Sequence, residues 1–344
     1  MNRLNTFDEY DYLEEQFNPM RTDRQARRKR KPRVNPKTQA SVAVSDIAET
    51  VGLEGGFQTT YTPSRHEEGW LLESLRDFYN QELISDVLGL VKGGKEASVY
   101  RCAAHQATGE TWLAAKVYRP RMFRNLRNDK QYRQGRLTLD GNGRAVNPRD
   151  VRLQKAINQK SSLGEQVAHT SWLMHEYTVL DMLHQQGAAV PKPIANSDNA
   201  ILMQYIGGAY GAAPTLHEVD LEADEVHPIF DEVMRNVELM LRNGRVHGDL
   251  SAYNILYWEG SITLIDFPQV INSYISKETH IIGSSVNPDA YDILLRDITR
   301  VCDYFQKYGI GHNPAAITRN LWRHYTDTDP VKKLADASRY EESE

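Results

Sequence analysis

The spacing of hydrophobic positions in the first half of the chain predicts a helix followed by strand-like segments joined by turns. Apolar residues recur at helical spacing from Leu71 to Tyr79, so a helix is expected after Glu67. The segments DVLGLVKGGKEASVYRCAA and TWLAAKVYR then show the composition of strands, separated by the turn-like HQATGE. This half therefore predicts a small sheet with an N-terminal helix.

The second half of the chain is predominantly helical in its spacing. The segment SWLMHEYTVLDMLHQQG predicts a helix that ends at Gly187, because glycine is common just beyond a helix C-terminus. AILMQYIG has the pattern of a buried strand, and helical spacing resumes at EADEVHPIFDEVMRNVELMLRNG. The element order indicates an α+β class, with strands first and helices afterwards.

Composition restricts the class of protein. The chain has 344 residues, 40% of them hydrophobic and 25% charged, so one large domain or two lobes with a sizeable core is expected. Cys102 and Cys302 are too few for a disulfide framework and indicate reduced thiols in a reducing compartment. There is no apolar run of about 18 residues and no secretory signal, so no membrane span and a cytoplasmic location are expected.

Positive charge is concentrated in two segments, although the net charge of −5 argues against binding nucleic acid with the whole surface. Residues 21–37 contain nine Lys/Arg and one acid, and residues 119–160, called here the basic insert, contain twelve Lys/Arg and three acids. Either segment could be a solvated loop or a contact for ribosomal RNA or another polyanion. Poor apolar periodicity predicts that the basic insert is a mobile loop.

The stretch VKGGKEASVY contains a glycine pair between two strand-like segments. Gly93 and Gly94 allow a backbone to approach a ligand closely, as in a loop that covers nucleotide phosphates. A strand-loop-strand context argues against the Walker A and dinucleotide motifs, which both begin a helix. A plain hairpin turn is the alternative.

Lys116 lies in the apolar strand LAAKVYR, which is close to the Val-Ala-Ile-Lys strand of kinases. A lysine there either extends to solvent or meets a buried anion. Glu176, on the predicted second helix, is the expected partner in an ion pair at the nucleotide phosphates. The adenine is expected against the backbone of LMQYIG, from Met203 through Tyr205 to Ile206, where polar backbone groups adjoin apolar side chains.

The stretch VHGDLSAYNILYWEGSITLIDFPQ places three oxygen-bearing side chains close together in the chain. Asp249 and Asn254 have the spacing of the kinase catalytic loop, H-R-D-L-x-x-x-N. ILYW and SITL predict a hairpin with Glu259-Gly260 at its turn, which returns Asp266 toward Asn254. Asp249 would orient the attacking group, while Asn254 and Asp266 would hold a metal ion.

Taken together, these motifs resemble those of the RIO-type atypical serine/threonine protein kinases, most closely the first RIO branch. The resemblance covers roughly residues 65 to 310, and its basic insert is similar to the one in that branch. It rests on GKEA followed by VY, the strand lysine, HGDLS with YN, and IDFPQ in place of Asp-Phe-Gly.

The resemblance implies a bilobal protein-kinase-like fold with a small β-rich N-lobe and a mostly helical C-lobe. It implies ATP with Mg²⁺ or Mn²⁺, serine/threonine kinase and ATPase activity, autophosphorylation, and a role in maturation of the small ribosomal subunit. In RIO proteins the aspartate at the position of Asp266 can itself accept the phosphoryl group. The expected nucleotide-binding residues are Gly94, Lys95, Glu96, Ser98, Lys116, Glu176, Met203, Tyr205 and Ile206, with Asp249 and Asp266 catalytic and Asn254 and Asp266 at the metal.

Two features depart from ordinary protein kinases. Gly248 stands where they have an arginine that reads a phosphorylated activation loop, so that switch should be absent. No Ala-Pro-Glu follows Asp266, which weakens the case for a peptide-docking platform, and RIO proteins share this lack.

The predicted organisation has four parts. They are a disordered arm over residues 1–60, an N-lobe over 61–205 that includes the basic insert, a C-lobe over 206–325, and an acidic tail over 326–344. Two other functions remain open: a small-molecule phosphotransferase of the aminoglycoside-kinase type, and a slow nucleotide switch that binds ribosomal RNA or a precursor of the small subunit.

Overall fold

The computed structural model describes residues 57, 59–64, 67–94, 96–119, 138–147, 150–159, 161–275 and 285–326. The basic segment 21–37, almost all of the predicted arm, Lys95 and the tail beyond residue 326 lie outside these residues.

The N-terminal lobe contains helix α1, Glu68–Asn80, and five strands: β1 Ile84–Gly93, β2 Ala97–Ala104, β3 Trp112–Tyr118, β4 Pro193–Asn196 and β5 Ala200–Gln204. The strands form an antiparallel sheet in the order β1-β2-β3-β5-β4. The predicted helix α1 and the predicted strands β1, β2, β3 and β5 are present, whereas β4 was not predicted. In the register of the sheet, Val99 lies opposite Lys116, and Lys116 lies opposite Ile201.

The two faces of this sheet have different partners, because side chains alternate along each strand. One face packs on α1 in a core that includes Leu75, Tyr100 and Val117. Phe57 and Thr60, assigned above to the arm, join this lobe: Phe57 stacks on Tyr79 at 4.5 Å between ring centroids, and the Thr60 amide bonds Asp86. The opposite face carries Lys116.

The prediction that the whole basic insert is a loop is wrong for its second half. A turn closed by the Leu139–Ala145 bridge is followed by helix α2, Val151–Asn158, which packs against α3, Ser162–Gln185. The contact is close, because a Cβ on Gly164 would lie 2.0 Å from the carbonyl oxygen of Ala156. Close helix packing compensates for the poor apolar periodicity from which a loop was predicted. Residues 120–137 lie outside the described residues.

The C-terminal lobe is mostly helical, with short hairpins that present loops to the N-terminal lobe. Helix α4 spans Val226–Arg242, α5 Pro288–Gln306 and α6 Pro314–Thr326. The predicted hairpin is present, with Glu259 and Gly260 at φ +50° and +79°, the signs of a type I′ turn. The strands are β6 Gly207–Gly208, β7 Gly211–Ala212, β8 Arg245–Val246, β9 Ile255–Trp258, β10 Ser261–Leu264, β11 Ile271–Asn272, β12 Tyr274–Ile275 and β13 Ser285–Val286.

A second hydrophobic core joins α3 to this lobe, with Leu183, Ile201, Val233, Leu264 and Phe305 among its buried members. The two cores, one on each side of the sheet, give the α+β, kinase-like bilobal architecture expected from the motifs. Within the described part of the chain, the helices are all too short or too polar to cross a membrane.

Candidate active site

Lys116 lies on β3 with its ammonium group on the face of the sheet opposite α1, where it meets one carboxylate from α3 and one from the C-terminal lobe. Its Nζ lies 2.6 Å from Oε1 of Glu176 on α3 and 2.7 Å from Oδ1 of Asp266. The other carboxylate oxygen of Glu176 accepts a hydrogen bond from the hydroxyl of Tyr118. The predicted Lys116–Glu176 ion pair is therefore present.

Charge pairing controls the protonation of this cluster. Burial alone would lower the pKa of Lys116, but the charges of Asp266 and Glu176 outweigh it and raise that pKa above its ordinary value. Partial removal from water would raise the pKa of Asp266, but the charge and hydrogen bond of Lys116 bring that pKa below its ordinary value. Lys116 and Asp266 are both ionised at neutral pH.

The turn before Asp249 requires a glycine. Gly248 has φ +85°, and a Cβ there would lie 2.2 Å from the carbonyl oxygen of Gln269. Its amide donates to the buried carboxylate of Asp297 on α5 at 2.8 Å, and its carbonyl accepts from Arg296. Both backbone groups of Gly248 are thereby fixed to α5.

Asp249 is held through both of its carboxylate oxygens. Oδ1 accepts from Nη1 of Arg300 at 2.8 Å, and Oδ2 lies 3.3 Å from the side-chain amide nitrogen of Asn254. The same nitrogen of Asn254 donates to the Asp249 carbonyl at 2.8 Å. The side chain of Asp249 is 35% exposed, so a group in the cleft can reach it.

His247 connects the catalytic loop to the segment that carries Asp266. Its ring is 3% exposed; Nδ1 accepts from the Asp249 amide and Nε2 lies 3.2 Å from the Ile265 carbonyl. Burial lowers the pKa of His247, against the opposing effect of Asp297, so the ring is neutral and carries its proton on Nε2. Asp266 follows at φ +72°, a left-handed conformation unusual for aspartate.

Asn254 and Asp266 provide the chemistry that a hard divalent cation needs. The nitrogen of Asn254 is occupied by Asp249, which leaves its amide oxygen as the atom for a cation, while Asp266 offers an ionised carboxylate. The amide of Ile265 donates to the Asn254 carbonyl at 3.0 Å, so the chain segments carrying the two ligands are joined. Among the described residues there is no cluster of three or more His, Cys, Asp or Glu suited to a metal. Two protein oxygens with phosphate oxygens match the way Mg²⁺ is usually held.

The structure describes the glycine loop on both sides of Lys95. A Cβ on Gly94 would lie 2.8 Å from the Ala97 carbonyl oxygen, so the tight turn requires a glycine. Lys95 lies outside the described residues. The carbonyl of Glu96 accepts a hydrogen bond from the amide of Arg119 at 2.9 Å. Val99 lies opposite Lys116 and shares its face of the sheet. The neighbouring Ser98 therefore faces the other side, toward α1, where it is 3% exposed. A nucleotide contact from Ser98 would therefore have to come from its backbone.

The predicted adenine segment begins in β5 and continues beyond Gln204 as the linker between the lobes. Met203 lies opposite Ala114 in the sheet, while the carbonyl of Ile206 is already occupied by the Ala213 amide. Tyr205 is 9% exposed, and the guanidinium of Arg101 lies 5.9 Å from its ring centroid. The linker is thus packed against β2 as well as continuing the sheet.

The motifs left four contributors to the site unpredicted: Tyr118, Arg296, Asp297 and Arg300. Tyr118 lies two residues after the strand lysine, so strand alternation alone could have placed it on the same face. The other three lie on α5, about 50 residues after the loop they contact. The second half of the chain was predicted to be mostly helical, but a helical pattern carries no information about which loop the polar residues of a helix would meet.

An antiparallel sheet with an ion-paired lysine, above a helical lobe presenting two loop aspartates and an asparagine, defines a protein-kinase-like fold and site. The family model described as "RIO domain" matches residues 130–317, more than half of the 344-residue chain. The chain belongs to the RIO domain family.

Similar proteins carry RIO kinase names. Serine/threonine-protein kinase RIO1 of Chaetomium thermophilum is 29% identical over 67% of this chain and 41% of its own length. RIO-type serine/threonine-protein kinase Rio1 of Thermoplasma acidophilum is 34% identical over 42% of this chain and 69% of its own length. Human serine/threonine-protein kinase RIO1 is 27% identical over 74% of this chain and 39% of its own length. The matched region is thus about two fifths of the two eukaryotic relatives.

Proposed function

We propose that this protein is an ATP- and Mg²⁺-dependent (or Mn²⁺-dependent) RIO-type serine/threonine kinase and ATPase that autophosphorylates. The observation that carries the proposal is the three-way contact of Lys116 with Glu176 and Asp266, next to a catalytic loop whose aspartate is reachable from the cleft. Kinase names among the relatives support it.

Each charged group has a role in this proposal. Lys116 binds ATP phosphates, and its Glu176 partner keeps the ammonium in place and charged. Asn254 and Asp266 hold the cation, which neutralises phosphate charge when bound. Asp249 orients the acceptor hydroxyl or water and takes up its proton as the new bond to Pγ forms and the bond from Pγ to the β–γ bridging oxygen breaks. ADP is the leaving group.

Asp266 is the second acceptor in this proposal. Its ionised carboxylate can attack Pγ without losing a proton, giving an acyl phosphate and ADP, and water then releases inorganic phosphate and restores the carboxylate. No Ala-Pro-Glu follows Asp266 in the sequence, which supports an acceptor inside the site over a docked peptide. This route also supports the second candidate function, a slow ATPase used as a nucleotide switch.

The wider role is proposed from charge. The basic insert, whose second half contains helix α2, is proposed to contact ribosomal RNA or a precursor of the small subunit, together with residues 21–37. A cytoplasmic location is proposed as well, supported by Cys102 and Cys302, which are both free and buried. The proposed parts remain an arm, two lobes that meet near residue 205, and an acidic tail. A small-molecule phosphotransferase is not proposed, because the chain belongs to the RIO family.

The test uses the full chain with γ-labelled ATP and Mg²⁺, with and without small ribosomal subunits. We expect turnover and a phosphoenzyme that is stable in acid, cleaved by hydroxylamine, and lost in Asp266→Asn. Asp249→Asn should lose turnover, whereas the matched control Asp303→Asn, an exposed aspartate on α5, should keep it. A serine or threonine phosphoester as the sole label would exclude the acyl-phosphate route while leaving the kinase. Absence of turnover under both conditions would reject the proposed activity.

A further inference from the structure

Three side chains of helix α5 contact the catalytic loop. Asp297 accepts the Gly248 amide, Arg296 donates to the Gly248 carbonyl, and Arg300 donates to the Asp249 side chain. The first two contacts fix the backbone before Asp249. The third acts on the carboxylate itself, and Arg300 is one helical turn beyond Asp297, so it lies on the same face of α5.

The Arg300 contact restricts the Asp249 side chain in a way that the backbone contacts cannot. With Oδ2 at 3.3 Å from Asn254, a second donor at 2.8 Å on Oδ1 restricts rotation of the carboxylate about its χ2 torsion. A carboxylate has about four lone-pair positions, so both oxygens can still accept from a substrate hydroxyl. The side chains of Arg300 and Asp249 are 42% and 35% exposed, so the pair borders open cleft and is not a core ion pair.

The sequence explains why the cation must come from another element. From Leu250 to Asn254 the loop is LSAYN, which contains no lysine or arginine. A guanidinium on α5 therefore places positive charge beside Asp249 that the loop itself cannot supply. An exposed ion pair of this kind contributes little to stability, so its principal effect is on geometry.

We propose that Arg300 is a positioning residue for phosphoryl transfer: it fixes the Asp249 carboxylate in the orientation that receives the acceptor group. This inference rests on the proposed function, in which Asp249 orients the acceptor. Arg300 acts through Asp249 and makes no contribution of its own to the bond changes at Pγ. A misplacement of about 1 Å in a catalytic group can cost about 100-fold in rate, so a large kinetic effect is compatible with a small effect on stability.

The experiment compares the full-length wild type with Arg300→Ala, Arg300→Lys and the matched control Arg319→Ala, an exposed arginine on α6. Steady-state ATP turnover gives kcat and KM separately. Arg300→Ala should lower kcat about 10- to 100-fold with KM for ATP within about twofold, since the nucleotide contacts are elsewhere. Arg300→Lys should recover part of the loss, and Arg319→Ala should equal wild type.

Two further measurements separate positioning from other roles. In the residual single-turnover rate that remains in Asp249→Asn, adding Arg300→Ala should cause no further loss, because groups that act as a unit are not additive. Without nucleotide, hydrogen exchange of the loop peptide containing Asp249 should keep its wild-type rate in Arg300→Ala, because Asp297 and Arg296 still fix the backbone of Gly248. Faster exchange there would show that Arg300 holds the loop backbone and would overturn the inference.

The outcomes are distinct. An unchanged kcat in Arg300→Ala overturns the inference, and an increased kcat overturns it in favour of an inhibitory contact. A further loss in the double variant shows that Arg300 acts independently of Asp249 and also overturns it. If the wild type itself lacks turnover, the proposed function has failed, and this result is recognised without any Arg300 variant.

Discussion

Replacing Lys116 with methionine should destabilise the protein as well as remove its nucleotide affinity. The perturbation is nearly isosteric along the side-chain stem but deletes the charge between Glu176 and Asp266. Glu176 is 4% exposed, whereas Asp266 is 42% exposed, so the two partners lose different amounts. Solvent can replace the lysine at Asp266, but it cannot readily do so at Glu176.

The magnitude follows from that difference. Two unit charges about 4 Å apart attract by about 4 kcal/mol at an effective dielectric constant of about 20. Removing one partner of a buried pair costs about 3–5 kcal/mol, and an exposed pair about 0–1 kcal/mol. Because Tyr118 still donates to Glu176, we expect a loss near the lower limit, about 3 kcal/mol. At about 2–4 °C per kcal/mol, Tm should fall by about 6–12 °C.

Urea unfolding of Lys116→Met, Glu176→Gln and the double variant measures this effect without nucleotide. The double variant should recover to within about 1 kcal/mol of wild type, because no unpaired buried charge remains. Lys192→Met, which alters an exposed lysine before β4, is the control and should change stability by less than about 0.5 kcal/mol. The reasoning is refuted if Lys116→Met is no less stable than this control, or if the double variant is as unstable as the single one.

Three other predictions follow from the structure. Gly248→Ala should cost more than about 2 kcal/mol and abolish turnover, whereas Gly109→Ala, also at positive φ but in open space, should cost only about 1 kcal/mol, as judged by urea unfolding. Burial raises the pKa of Cys102 to about 12 and that of Cys302 to about 11, so both thiols stay protonated up to pH 9. Both should resist iodoacetamide in the native protein and react only in denaturant, and labelling of the native protein would contradict their burial. Affinity for small-subunit ribosomal RNA should fall with salt, and Arg144→Ala should reduce the slope of log K against log salt by about 1 unit; an unchanged slope would exclude this residue from the contact.

Local patterns were sufficient to predict much of the fold. The strands around Lys116 and the hairpin that returns Asp266 depend on periodicity and on turn residues, which act over a few positions. The Lys116–Glu176 pair was predictable because LAAKVYR is close to the Val-Ala-Ile-Lys strand of kinases, whose lysine pairs with a glutamate on the next core helix. These inferences required no knowledge of long-range packing.

The remaining features depend on contacts distant in sequence. Helix α2 was missed because its docking relies on the absence of a side chain at Gly164, which periodicity does not register. The hydrogen bonds from α5 to the loop were missed because, in the sequence, Asp297 and Arg300 resemble ordinary exposed charges on a helix. Ser98 was assigned to the nucleotide by motif, and strand alternation, had it been applied from Lys116 through the register, predicts the opposite face.

The steric environment of Gly248 limits how this protein could acquire regulation in evolution. Ordinary kinases read activation-loop phosphorylation with an arginine at this position, but here any side chain would collide with the main chain at Gln269. An arginine at position 248 would require the backbone at Gln269 to move, and the substitution at position 248 does not itself provide that movement. A single substitution therefore passes through a variant that folds poorly, and only a chain already altered near residue 269 could accept it. Phosphorylation-dependent control of the usual kinase type is thus separated from this sequence by an epistatic barrier.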